Sequence, residues 1–113
     1  MKIIEKKILL IEIKKMAEET FGNLVKAVVD VEKKIMVVDG ELHSDEESIL
    51  IESGSEQKNL WGINLYPNEK FENLIEFDSL INLKPFHGNL SRSVNDPEIR
   101  KQISEIVYKL IEK

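Results

Sequence analysis

The stretch Leu24–Val38 constrains the fold of this chain most. Leu24 to Val31 is rich in β-branched residues and alternates, with Ala27, Val29 and Val31 sharing one phase. Lys33-Lys34 follows as a polar turn, and Ile35 to Val38 is a second apolar run of strand length. Two such runs joined by a short polar loop predict a β-hairpin over Val25–Val31 and Ile35–Val38, ended by Asp39-Gly40. A hairpin is antiparallel, so whatever else the chain forms must pack on an antiparallel sheet.

The segments around it have helical periodicity. Leu10, Ile13, Met16 and Ala17 form an apolar stripe in a predicted helix over Leu9–Thr20, with Gly22 as its stop and Lys2–Ile4 before it as a short edge strand. Ser44-Asp45-Glu46-Glu47 has the S-x-x-E spacing of a capping box, which predicts a short helix over Asp45–Ser53, stopped by Gly54. A strand over Ser48–Glu52 is the rival, because Ile49-Leu50-Ile51 is a short apolar run. Asp96-Pro97 supplies an N-cap and a first-turn proline for a helix running to about Ile111, with Ile99, Ile103, Ile106, Val107 and Leu110 as its stripe. Between the last two helices, Trp61–Tyr66 and Leu74–Leu83 alternate and predict a second hairpin across Pro67–Asn73. The expected order is helix, hairpin, short helix, hairpin, helix. That is an α+β fold, a mostly antiparallel sheet of two hairpins with the helices packed on one face.

Size and composition bound the function. A chain of 113 residues forms one domain and buries roughly two-thirds of its unfolded surface, enough to fold without staples. With 42% hydrophobic and 33% charged residues it is globular rather than disordered. The absence of cysteine excludes a thiol nucleophile, a disulfide framework and a Cys₂His₂ zinc finger. The basic start Met1–Lys7 is followed by an apolar run broken at Glu12, which is not a signal peptide. No apolar stretch approaches the roughly 20 residues of a membrane span, so a cytoplasmic protein is expected. A net charge of −5 with only two arginines argues against nucleic acid as a partner, although Lys14-Lys15 and Lys33-Lys34 are local basic pairs.

Three polar groups could carry chemistry. Glu41 to Glu47 holds His43 among carboxylates. His43, Asp45 and Glu46 are therefore the candidate ligands of a divalent metal, the one cofactor the residues would suit. A capped helix end with solvated acids explains the same residues. Asn64, Asp78 and Asn82 stand in stretches read as strands, where Asn and Asp are depleted; they either face water or line a pocket. The loop Pro85–Asp96 offers Asn89, Ser91 and Arg92 before a helix, a setting that can hold an anion or form a tied-down surface loop. Asn64, Asn82, Asn89 and Ser91 are the candidate ligand-binding residues, and His43, Asp78 and Arg92 the candidate catalytic ones. No Walker, Rossmann, nucleophile-elbow, kinase or EF-hand motif occurs.

Gly40-Glu41-Leu42-His43, Asp45-Glu46, Gly54-Ser55, Trp61-Gly62-Ile63-Asn64-Leu65-Tyr66-Pro67, Asp78-Ser79-Leu80-Ile81-Asn82 and Gly88-Asn89-Leu90-Ser91-Arg92 together resemble an uncharacterised family of small prokaryotic proteins, classed as a domain of unknown function. The resemblance covers about Leu9 to Ile111 and implies a free-standing domain, with no activity to transfer. The leading expectation is a binding or interaction module whose hairpin edges could serve a homodimer. The alternative is a small hydrolase or metal-assisted enzyme built around His43, Asp45, Asp78 and Arg92, with Arg92 clamping an anionic substrate.

Overall fold

The β-branched run predicted as a strand lies at the centre of the sheet. The computed structural model describes residues 1–113. Its elements are β1 (Lys2–Ile4), β2 (Ile8–Leu9), α1 (Leu10–Glu19), β3 (Val25–Asp30), β4 (Ile35–Val38), α2 (His43–Glu52), β5 (Leu60–Leu65), β6 (Ile75–Glu76), α3 (Pro97–Leu110) and β7 (Ile111–Glu112). Five strands form one antiparallel sheet in the order β1-β4-β3-β5-β6. The short strands β2 and β7 pair in parallel beside it.

The first hairpin has the expected register, with Ala27 opposite Val38 and Asp30 opposite Ile35. Asp30 holds its turn. One carboxylate oxygen accepts from the backbone N–H groups of Glu32 at 2.9 Å and Lys33 at 3.0 Å. The other accepts from the Ser55 hydroxyl at 2.6 Å, tying the turn to the segment after α2. Helix α3 starts as expected, with the Asp96 carboxylate accepting from Glu98 N–H at 2.9 Å and Pro97 in the first turn.

Three expectations are corrected. The helices do not share one face. Val25, Ala27, Val29, Met36, Trp61 and Ile63 face α1 and α3, while Val28, Val37 and Leu60 face Leu50 of α2 on the other side. A central sheet covered on both faces needs apolar residues in both phases of its strands. The runs Val28-Val29 and Ile35–Val38 supply them.

The second hairpin is short. β5 has six registered partners in β3 and only two in β6, Asn64 with Glu76 and Leu65 with Ile75. Past Glu76 the chain leaves the strand and forms a 3₁₀ turn at Leu80–Asn82, where the Ser79 hydroxyl accepts from Ile81 N–H. The side chain of Asn82 takes the place of the missing strand. Its carbonyl accepts from Gly62 N–H at 2.8 Å and its amide donates to the Gly62 carbonyl at 2.9 Å. A carboxamide presents the same donor and acceptor as a peptide, so one side chain closes this part of the sheet edge. Gly62 permits the approach: a Cβ there would stand 2.5 Å from Ser79 Cβ.

The third correction concerns the capping box. α2 begins at His43, two residues earlier than expected, with Leu42 in extended conformation as its cap. The Leu42 carbonyl accepts from Asp45 and Glu46 N–H. Ser44 therefore lies inside the helix, and its hydroxyl caps nothing.

Candidate functional site

The end of the sheet left open beside the start of α2 carries a row of polar residues. Lys26 on β3, Asn64 on β5 and Glu76 on β6 stand in register, in the strand phase of the face that α2 covers. His43, the first residue of α2, lies over this row and is half-buried. Its Nε2 is 2.8 Å from the Ile63 carbonyl. A carbonyl only accepts, so Nε2 carries the proton and donates, which leaves Nδ1 of the neutral ring as an acceptor. Burial pushes the imidazole below its ordinary pKa. The Ile63 carbonyl opposes this, Lys26 adds to it, and Asp78 and Arg92 pull in opposite directions. Asp78 and Arg92 form an ion pair at 2.8 Å, each side chain about half exposed.

His43, Asp78 and Arg92, chosen from the sequence, thus come to one face of the molecule, near enough for the two charges to act on the ring. Asn64 belongs to the same group and is only 7% exposed. Its amide donates to Glu76 Oε1 at 2.8 Å and to the Asp78 carbonyl at 3.2 Å. Both partners are acceptors, which fixes the orientation of the carboxamide and leaves its oxygen buried without a donor. Tyr66 donates its hydroxyl to the same Glu76 oxygen at 3.1 Å. Lys26, Tyr66 and Glu76 were not chosen from the sequence. A lone lysine in the run Val25–Val29 was the available signal for the first of them.

The metal candidates separate. Asp45 is exposed, whereas Glu46, one residue on, is fully buried on the inner face of α2. No group of three or more His, Asp and Glu side chains is placed to hold a metal ion. Glu46 Oε2 accepts from Gly40 N–H at 3.1 Å, and Oε1 has no partner. Burial, opposed by that hydrogen bond, pushes its pKa up to about 9. Gly40 is required by this packing, since a Cβ there would stand 2.5 Å from Glu46 Cγ.

Asn82, Asn89 and Ser91 are spent on the chain itself. Besides its pairing with Gly62, Asn82 donates to the Arg92 carbonyl at 2.9 Å. The Asn89 amide reaches the carbonyls of Asn82, Ser91 and Ser93, and its oxygen accepts from Asn95 N–H at 2.9 Å. Ser91 accepts from Ser93 N–H and donates to Asn95 Oδ1. These bonds build a loop that is polar inside and apolar outside. Phe86 is 99% exposed, Leu90 72% and Leu80 64%, and Leu83 is also exposed. Phe86 borders a groove of about 170 Å³ whose other walls are Leu83, Pro85, Gln57, Lys58, Lys84 and His87.

An antiparallel sheet between helices, with a polar end and a loop whose apolar side chains are exposed, defines a small α+β domain. The chain belongs to the family described as "Protein of unknown function (DUF5674)", whose model matches residues 2–110. No curated protein and no solved structure matches it. No helix is long and apolar enough to cross a membrane.

Proposed function

We propose that this protein is a small interaction module that associates with a second copy of itself through the loop Leu80–Leu90. The observation that carries the reading is Phe86, a wholly exposed phenylalanine on a loop locked by buried asparagines. A mobile loop would let such a ring fold back onto the surface. A loop pinned by the inward amides of Asn82 and Asn89 holds the ring out, and much of the ordering cost of docking is already met. Exposed apolar side chains gathered in one segment mark an interaction surface. What supports self-association is that Phe86 projects beside a groove it forms with Leu83, Pro85, Lys58, Lys84 and His87, so a two-fold axis at the loop would lay each ring against the partner's groove.

Light scattering at concentrations up to about 1 mM tests this, a range that reaches weak interfaces. Wild type is expected to form a dimer that Phe86→Ser and Leu90→Ser return to monomer. Circular dichroism of both variants should match wild type, because the side chains are exposed. A monomeric wild type at every concentration, or a dimer that both variants retain, overturns the assignment.

A second reading rests on the polar end of the sheet. His43 with its tautomer fixed and Nδ1 free is arranged as a base, and Arg92 and Lys26 would attract an anionic substrate. Asp45 takes no part, being exposed on the outer side of α2. Calorimetry with zinc, manganese and magnesium on wild type and His43→Ala tests the metal-assisted form. Absence of any heat of binding with wild type removes it.

A further inference from the structure

A cleft on the α3 side of the sheet shares no lining residue with the group around His43. It has a volume of about 830 Å³ and is bounded by the β1–β2 connection, the β3–β4 turn and the last turns of α3. Lys6, Lys7, Lys33, Lys34 and Lys109 line it. Glu5 and Glu105 are the only acids among its walls, so the cleft is strongly positive in a chain whose net charge is −5.

None of the five lysines is in an ion pair; the molecule has only two, Lys58 with Glu56 and Arg92 with Asp78. Lys7 donates to the Lys109 carbonyl at 3.4 Å, Lys33 donates to the Ser53 carbonyl after α2 at 3.5 Å and so turns its ammonium to that side, and Lys6, Lys34 and Lys109 have no partner. A lysine near the negative end of a helix dipole is ordinary, which accounts for Lys109. It does not account for four more from two other segments. Lys34 adds a separate observation. It holds a left-handed backbone, φ 59°, at a hairpin position where glycine or asparagine is the usual occupant. Lysine carries a conformational cost at that position, and Lys34 is one of the residues lining the cleft.

We infer that this cleft binds a compact polyanion bearing an oligophosphate group. The ammonium groups of Lys6, Lys34 and Lys109, which have no partner, suit clustered phosphate oxygens better than a single carboxylate. The size falls in the range of small-ligand sites. No aromatic residue lines the cleft, so it has no platform on which the bases of single-stranded RNA would stack.

Titration of the full chain with inorganic tripolyphosphate at low ionic strength, followed by calorimetry and amide chemical shifts, tests the proposal. Saturable binding is expected, weakening as salt is added. The pair Lys34→Gln/Lys109→Gln should weaken it roughly tenfold. The pair Lys14→Gln/Lys15→Gln, outside the cleft, should leave it unchanged. A nucleoside triphosphate that binds as tightly as tripolyphosphate assigns recognition to the phosphates; one that binds more tightly adds a nucleoside contact to the same site. No saturation at about 1 mM tripolyphosphate, equal loss in both lysine pairs, or tighter binding of single-stranded RNA than of tripolyphosphate overturns the proposal.

Discussion

Glu46 should make this protein less stable as the pH rises, and the size of the effect follows from its surroundings. Two carboxylates are buried. Asp30 accepts three hydrogen bonds, from Glu32 and Lys33 N–H and from the Ser55 hydroxyl. Glu46 accepts one, from Gly40 N–H, and its second oxygen has no partner. Burial therefore dominates and raises its pKa from 4.5 to about 9. Below pH 4.5 the folded and unfolded chains both hold the proton, and the group costs nothing. Between 4.5 and 9 the unfolded chain releases it while the folded chain keeps it. Stability then falls by about 1.4 kcal/mol per pH unit, which amounts to about 3 kcal/mol by pH 7. The whole stability of a small domain is only about 5–15 kcal/mol.

Glu46→Gln isolates this contribution. The glutamine carbonyl can accept from Gly40 N–H as the carboxyl does, and it does not titrate. Its amide group takes the position of the unpartnered oxygen at a cost of about 1–3 kcal/mol that is the same at every pH. The difference between variant and wild type should therefore grow with pH, whatever its sign at the acid end. His43 contributes the opposite slope. Its pKa is lowered by burial, so its stabilisation is lost as the pH falls below 6.5. That term is common to both proteins and cancels in the difference. Urea unfolding at pH values from about 5 to 8 measures it. A difference that stays constant across that range within about 0.5 kcal/mol would refute the reasoning.

Three further outcomes follow from the same geometry. Asn82→Ala leaves the Gly62 N–H and carbonyl and the Arg92 carbonyl without their buried partner, and should cost about 3 kcal/mol in urea unfolding. Lys34→Gly relieves the left-handed backbone and should raise stability by up to about 1 kcal/mol while weakening tripolyphosphate binding. Asp78→Asn removes a half-exposed ion pair, so thermal unfolding should show a loss below about 1 kcal/mol. It also removes the charge that holds the His43 imidazole up, and the proton-resonance titration of His43 should move to lower pH.

The elements whose residues interact locally were legible in the sequence. The β3–β4 hairpin needs only its turn and its two runs, and α3 needs only Asp96 and Pro97 at its start. Gly22 and Gly54, at φ 93° and 103°, end their helices as their positions suggested. What was misread depends on partners distant in the chain. Leu74–Leu83 alternates like a strand, yet Asp78, Ser79 and Asn82 serve there as ion-pair, cap and edge-closing residues. The placement of helices on both faces was written in the unbroken apolar runs, but alternation alone selects one phase and ignores the other. His43, Asp78 and Arg92 stand out in the sequence because titratable groups in mixed surroundings are conspicuous, and the structure brings them to one face. Lys26 does not stand out, because one lysine in a strand reads as a solvated residue until its cross-strand neighbour is known to be Asn64.

The asparagines show why a site is harder to read than a fold. A carboxamide that binds a ligand and one that binds the backbone use the same atoms, and only the geometry of the partner separates the two. Here Asn82 and Asn89 turned inward, and that choice determines what the loop can show to solvent. With the amides of Asn82 and Asn89 committed inside, the segment Leu80–Leu90 presents Phe86, Leu80 and Leu90 outside. The polar letters that suggested a ligand site are thus the reason the loop has an apolar surface. A loop rich in asparagine that also contains aromatic and aliphatic residues should be weighed as an interaction surface before it is weighed as a pocket.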